Sequence, residues 1–488
     1  MLFNSVGFLV FFIVITSLYF IIPHKLRWVL LLLSSCFFYM AFVPVYILIL
    51  GFTIIVDYCA GLLIEKAEGK KKHLFLICSL IANIGILAVF KYYNFLIYNI
   101  SFLFERTGHT SPFSYLAILL PIGLSFHTFQ AMSYTIEVYR GNQKAEKHFG
   151  IYALYVMFYP QLVAGPIERP QNLLHQFYEK HNFDYVRVTD GLKLMAWGLF
   201  KKIVIADRLS ILVDNVYNNP YQHHGLSFII ATFCFSFQIF CDFSGYSDMA
   251  IGIAKVMGFR LMKNFNNPYH SQSVSEFWTR WHISLSTWFK DYLYIPLGGN
   301  RVPVPRLYFN LFVVFLVSGL WHGASWTFIA WGALHCFYII FSIGTKNLRN
   351  HFNRITGIKN YPRFNQTIQI FITFLLVTFA WIFFRAKSIA VAFYIIKSIM
   401  ADTLTDIHKI LTHQQSHVNL GLVGDDLVIA FFVIILLECI NIINAKQNII
   451  RLLRSKPVYV RWALYYVFLC LLLLFNVSAS KQFIYFQF

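Results

Sequence analysis

Two histidines, His282 and His322, stand in aromatic surroundings inside a chain that otherwise reads as membrane. His322 lies in Leu311-Phe-Val-Val-Phe-Leu-Val-Ser-Gly-Leu-Trp-His-Gly-Ala-Ser-Trp326, and His282 in Glu276-Phe-Trp-Thr-Arg-Trp-His-Ile-Ser-Leu-Ser-Thr-Trp-Phe-Lys-Asp291. An ionisable ring at membrane depth is costly unless it meets a polar cavity or a partner, so each is a functional candidate by default. An imidazole, with an ordinary pKa of about 6.5, is matched to take a proton from a hydroxyl near neutral pH. The competing reading is structural: a buried histidine that bonds a carbonyl and locks two helices together.

For His322 the neighbours favour chemistry. Gly319 and Gly323 are four apart and Ala324 follows, a pattern that predicts open space walled by Trp321 and Trp326. For His282 the two readings balance. On a continuous helix it shares a face with Trp278 and Ser286, next to Trp281, and Arg280 and Asp291 are candidates for a supporting ion pair. His335 is thirteen residues beyond His322, roughly 220° round a straight helix, so it is assigned to packing or support. His408, His413 and His417 fall in a stretch read as an exterior loop without nearby cysteines, where solvated histidines are the expectation and no metal site is assigned.

The elements that must hold these rings are membrane elements. Of 488 residues, 58% are hydrophobic, 19% aromatic and 12% charged, more apolar surface than a soluble domain can bury. Apolar runs fall near 5–22, 28–42, 45–64, 74–90, 115–138, 149–165, 190–206, 226–241, 308–320, 325–344, 366–384, 427–444 and 462–476. Several are short or broken by Gly and Pro, which predicts an all-α polytopic protein with about eleven crossings plus re-entrant helices. The whole chain, 1–488, reads as one membrane domain. No internal repeat is visible, which argues against an inverted-repeat transporter.

The formal charge of +19 does not point to nucleic acid, because Lys and Arg are scattered at the ends of apolar runs. Lys66–Lys72, Arg140–Lys147, Lys346–Arg363 and Lys446–Arg461 are each basic and read as cytoplasmic loops, which also suit anionic lipid headgroups. Both termini then fall outside, with a near-neutral exterior loop at 385–426. Met1–Ile22 lacks a basic start and a small-residue cleavage site, so it is read as a retained first helix. The eight cysteines, with no C-x-x-C pair, suggest neither disulfides nor zinc and are read as small buried hydrophobes.

The middle, about 159–331, mixes polar residues with aromatics, Gly and Pro, and is predicted to carry the site, since irregular backbone at membrane depth must be buried or line a cavity. Tyr159–Pro170 holds three prolines and cannot be one regular helix. Cys241–Ala250 places Asp242 and Asp248 beside an apolar run, and Ser275 is the expected cap of a helix through Trp278. Walker, nucleophile-elbow, zincin and Rossmann patterns are absent, which removes support for ATP-driven transport and serine hydrolysis and suggests no resident cofactor. A transporter or flippase for a lipid-linked sugar or acyl group is the alternative. It accounts for the polytopic body but not for a base-competent histidine among small residues.

Five segments together carry a resemblance: Pro160-Gln-Leu-Val-Ala-Gly-Pro-Ile167, Asp242–Gly252, Glu276–Ser286, Asp291-Tyr-Leu-Tyr-Ile-Pro-Leu-Gly-Gly-Asn-Arg301 and Ser318-Gly-Leu-Trp-His-Gly323. Over essentially its whole length the chain resembles the membrane-bound O-acyltransferase family, in the alginate O-acetyltransferase-like branch that acetylates bacterial polysaccharides. The segment around Tyr294–Arg301 looks like that branch rather than the teichoic-acid D-alanylation branch, and Leu334-His-Cys336 is one departure from it. The resemblance implies tilted helices around a central channel, with His322 as the catalytic histidine and His282 as the second. It implies a cytoplasmic acyl thioester donor such as acetyl-CoA, an exterior esterase-like partner, a polysaccharide acceptor, and residence in the bacterial inner membrane. Asp242, Arg280, Asp291 and Trp321 are the expected supporting residues.

The tail, Phe483-Ile-Tyr-Phe-Gln-Phe488, is too short to span. It reads as an interfacial aromatic anchor. The sharper alternative is that it folds back into the protein, where the Tyr485 phenol, activated by a base such as His322, relays the acetyl group.

Overall fold

The computed structural model describes residues 1–117, 121–163, 165–412, 420, 426–447, 449–475 and 483–484, and among them every regular element is helical. Seven helices are long and apolar enough to cross a membrane: Pro44–Lys66, Gly69–Arg106, Leu226–Met257, Val304–His322, Trp326–Gly344, Pro362–Arg385 and Leu427–Lys446. Val6–Ile21 and Val458–Leu474 are shorter apolar helices. Their apolar faces leave them no stable home in water, and the protein is a multi-pass membrane protein.

The chain forms two compact units, Met1–Gly198 with Tyr246–Lys263, and Leu199–Gly245 with Asn264–Phe488. In the first, Ser5 caps Val6–Ile21 by accepting the Phe8 N–H at 3.1 Å, and Pro23 separates it from His24–Met40. Ile47–Lys66, Gly69–Leu87 and Leu124–Arg140 are tied by one buried polar cluster. Ser79 donates to Asp57 at 2.6 Å and its oxygen lies 3.1 Å from the Thr135 hydroxyl, while the Asn83 amide donates to both Asp57 oxygens at 3.0 and 2.9 Å. Polar side chains bonded across helices in this way supply the specificity that apolar contact lacks inside a bilayer.

In the second unit the stretch read as an exterior loop at 385–426 contains a 23-residue helix, Ile389–Leu411. Its buried residues Val391, Ala392, Ile395, Ser398 and Asp406 follow a helical stripe, while much of the rest is polar or exposed. Lys397, Asp402 and Asp406 interrupt its apolar residues, of which Phe393, Met400, Leu404 and Leu411 remain exposed, so no continuous apolar run marks it in the sequence. Its Asp406 accepts the Leu226 N–H at 3.0 Å and its Ser398 the Gly225 N–H at 3.0 Å, so this helix caps the start of Leu226–Met257.

Between two of the long apolar helices lies Lys346–Ile355, with Leu348, Phe352 and Ile355 exposed at 68%, 59% and 70% on one face. Lys346, Arg349 and Arg354 occupy the other side. That division suits a helix lying in the headgroup layer.

Candidate functional site

His322 is the last residue of Val304–His322, and an extended Gly323 (φ −167°) breaks the chain before Ser325 caps Trp326–Gly344. The two helices return on each other at unusually short range. A Cβ on Gly319 would strike the Phe328 carbonyl, and one on Gly332 would strike the Phe315 carbonyl. The glycines therefore do not leave open space, as their spacing suggested. A missing side chain in a membrane helix admits a neighbouring backbone, and that contact fixes where His322 stands. Gly319→Val is accordingly expected to force the pair apart, at a cost of about 1–3 kcal/mol or more. A melting curve of the purified variant in detergent should show this as a clear downward shift; an unchanged curve would mean the contact is not tight.

His282 is built differently. The expected cap Ser275 is not the cap: Ser273 starts Val274–Arg280 by accepting the Glu276 N–H at 3.1 Å. Trp281 leaves the helix, and His282 sits at φ 44°, ψ 54°, as the N-cap of Ile283–Phe289. A left-handed conformation costs a non-glycine residue roughly 1–2 kcal/mol, so surrounding bonds must enforce it. They are present. The His282 carbonyl accepts from Leu285 N and Ser286 N at 3.0 and 2.9 Å, and the Asn264 carbonyl accepts from Ile283 N at 2.9 Å. The Asn264 side chain accepts from Ser284 N and Oγ at 3.2 and 3.0 Å. His282 is thus not on a continuous helix face with Trp278 and Ser286. The break redirects it.

These two constructions bring the rings together. The His282 and His322 centroids are 6.5 Å apart, and both residues are buried. Trp321 touches both, at 5.9 Å from His282 and 5.0 Å from His322. Phe243 meets His282 edge-on at 4.6 Å, while Trp331 and Phe384 meet His322 at 5.0 and 5.6 Å. Behind them Trp331 stacks on Trp381 at 5.8 Å, and the indole N–H of each is buried with no hydrogen-bond partner among the described residues. An aromatic box of this kind excludes water and leaves donors for an incoming polar group.

The other expected residues divide. His335 is fully buried one layer back, where its Nδ1 accepts the Trp278 indole N–H at 3.3 Å. It packs there, but the angular argument that assigned it to packing or support does not hold, because the helix breaks at Gly323. Arg280 pairs with Glu276 at 2.6 Å instead of with Asp291, which lies in the π-helical turn Lys290–Tyr294. His408 is exposed in the last turn of Ile389–Leu411, and His413 and His417 lie outside the described residues. Among the described residues no group of three or more His, Cys, Asp or Glu could hold a metal.

Asp242 is buried and paired with Lys202 at 2.8 Å, which also contacts Asp207 at 2.9 Å. Lys202 and Asp207 were not singled out from the sequence. The signal was there in a lysine pair inside the apolar run at 190–206, with an aspartate five residues on from Lys202. Tyr485, Phe486 and Phe488 lie outside the described residues, but Phe483 and Ile484 are buried at 0% and 3% exposure. An interfacial anchor would leave these two exposed to lipid; they are inside.

The Tyr159–Pro170 segment belongs to the first unit. It breaks as its prolines require: Phe149–Met157 ends, Tyr159–Leu162 makes one turn, and Pro170 starts another. Glu168 is buried there and accepts the Met262 N–H at 2.6 Å and the Asn172 amide; burial pushes its carboxyl up to about 7, against the pull of those bonds.

Residues 146–389 match the model of the membrane-bound O-acyltransferase family. The chain is 38% identical to a probable alginate O-acetylase of Pseudomonas aeruginosa over 437 residues, 88% of this chain and 81% of that protein. It is 37% identical to a peptidoglycan O-acetyltransferase of Helicobacter pylori, over 76% of this chain and 73% of that protein. A teichoic acid D-alanyltransferase of Streptococcus thermophilus is 29% identical over 54% of this chain and 68% of its own length. With the matched region spanning both histidines, the chain is an O-acyltransferase and belongs to the membrane-bound O-acyltransferase family.

Proposed function

We propose that this protein moves an acetyl group from a cytoplasmic thioester, acetyl-CoA, across the bacterial cytoplasmic membrane for O-acetylation of an extracellular or cell-wall polysaccharide. The observation that carries the reading is the buried His282–His322 pair in one aromatic box. The names of the relatives support acetyl rather than D-alanyl transfer, because identity and coverage are higher for the O-acetylases.

In this reading His322 removes the proton from the attacking hydroxyl as the oxygen adds to the thioester carbonyl. The intermediate then collapses with loss of the C–S bond, and the thiolate of CoA leaves and recovers the proton. Alignment of the two reactants and exclusion of water supply the rest of the rate. His282 orients the donor, and Trp321, in contact with both rings, holds their spacing. An esterase-like exterior partner delivers the group to the polymer.

Incubating the purified protein with radiolabelled acetyl-CoA tests the reaction directly. Release of free CoA together with covalent or acceptor-bound label is expected; donor left intact with an acceptor polymer and the exterior partner present would return the protein to the transporter reading. Tyr485 is proposed as the relay hydroxyl. Tyr485→Phe removes only that oxygen, so polymer acetylation should be lost at normal protein level, by about 10²-fold or more for a missing nucleophile. Wild-type acetylation in that variant rules the relay out.

Charge placement assigns both termini to the outside, with 66–72, 140–147, 346–363 and 446–461 inside. Cysteines introduced at Lys71 and Lys359 should resist an impermeant thiol reagent in intact cells and label after permeabilisation. Labelling from outside at either one would invert the topology.

A further inference from the structure

We propose that Asp242, held by Lys202, is an internal dock for the C-terminal tail, and that a docked tail is required for acyl delivery. The inference rests on the reading of the His282–His322 box as the acyl-transfer site. Three observations within the second unit carry it. The Ile484 backbone N–H donates to one oxygen of Asp242 at 2.8 Å, while Lys202 holds the other oxygen at 2.8 Å. Phe483, fully buried, lies against Phe243 at 5.7 Å, and the Phe243 ring is itself 4.6 Å from His282. The cluster of Lys202, Asp207 and Asp242 places two carboxylates around one ammonium in a site from which water is nearly excluded.

The charge count explains why a backbone amide belongs there. A buried carboxylate needs its lone pairs filled, and Lys202, which contacts Asp207 as well, leaves Asp242 with capacity for a further donor. A main-chain N–H supplies it without adding charge, and a bond to an ionised acceptor is about twice as strong as a neutral one. The dock thus reads the backbone of the tail at Ile484, and the aromatic contact at Phe483 fixes its register. Seated there, the chain reaches the ring that borders His282 just before its last four residues. Asp242 is on this account a positioning residue.

Three substitutions separate docking from folding. Ile484→Pro deletes the donated N–H and leaves the Lys202–Asp207–Asp242 cluster intact. Asp242→Asn keeps an oxygen for the N–H, whereas Asp242→Ala removes it. Tail seating is read by the labelling rate of a cysteine introduced by Ile484→Cys, in a protein whose exposed cysteines Cys59, Cys78, Cys439 and Cys470 are replaced by serine. Protection of that thiol is expected in the Asp242 background and in Asp242→Asn. At least about tenfold faster labelling is expected in Asp242→Ala, the scale of one lost charge-assisted bond.

Polymer acetylation should fall by a similar factor or more in Ile484→Pro and Asp242→Ala and recover substantially in Asp242→Asn, with the KM for acetyl-CoA unchanged. Wild-type acetylation in Ile484→Pro, or equal labelling of the Ile484→Cys thiol with and without Asp242, overturns the dock. If Asp242 controls labelling and acetylation while His322→Ala stays active, the dock stands and the assignment of the box falls. If His322→Ala is inactive and Ile484→Pro is not impaired, the reverse holds.

Discussion

Replacing His322 by alanine should lower acetyl transfer by about 10²–10⁴-fold, the range for loss of a positioned general base. The fold should survive. His322 ends its helix, and the rings that wall it, Trp331 and Phe384, also pack on each other at 5.3 Å and on Trp381 at 5.8 and 5.2 Å. Turnover at saturating acetyl-CoA is the measurement, with monodisperse elution and membrane insertion as controls. A properly inserted variant with a near-normal rate would remove His322 from the chemistry. Gln at the same position keeps much of the volume and a hydrogen-bonding group but no base, so it should be as inactive as Ala.

The second large effect is expected at His282, where ring and backbone can be separated. His282→Ala removes the imidazole but keeps a Cβ at φ 44°, whereas His282→Gly removes both the ring and the strain. The glycine variant should be the more stable of the two by about 1 kcal/mol, because only glycine adopts the left-handed region without a penalty. Both should lose donor affinity by roughly tenfold or more, the scale of one strong hydrogen bond, if the ring places the thioester. Donor titration beside steady-state rates gives the answer. Unchanged affinity with abolished turnover would make His282 a second chemical group, and full activity in the glycine variant would reduce the residue to a turn.

Much of this protein was legible in its sequence because two signals in it are local. Membrane spans announce themselves through composition alone, since a bilayer tolerates little else, and the runs at 45–64, 226–241, 325–344, 366–384 and 427–444 became helices of spanning length. The family was legible from the ordered motifs that hold His282 and His322. The helix Ile389–Leu411 was hidden because charged residues interrupt its apolar run, and its partner face, which caps Leu226–Met257 through Asp406, is defined only by the fold.

Side-chain patterns by themselves determined which residues were candidates; tertiary structure decided where each one stands and what it touches. Gly319 and Gly323 looked like space around a histidine, yet a glycine is open or crowded only according to what approaches it, and here Phe328 does. His282 looked like a helix-face residue, but the bonds from Asn264, eighteen residues away in sequence, enforce a left-handed turn that no local propensity favours. Asp242 was visible as a carboxylate beside an apolar run. Its partners Lys202 and Ile484 lie 40 and 242 residues away, and only folding brings such distant polar groups into one buried cluster, where each must satisfy the others because water cannot.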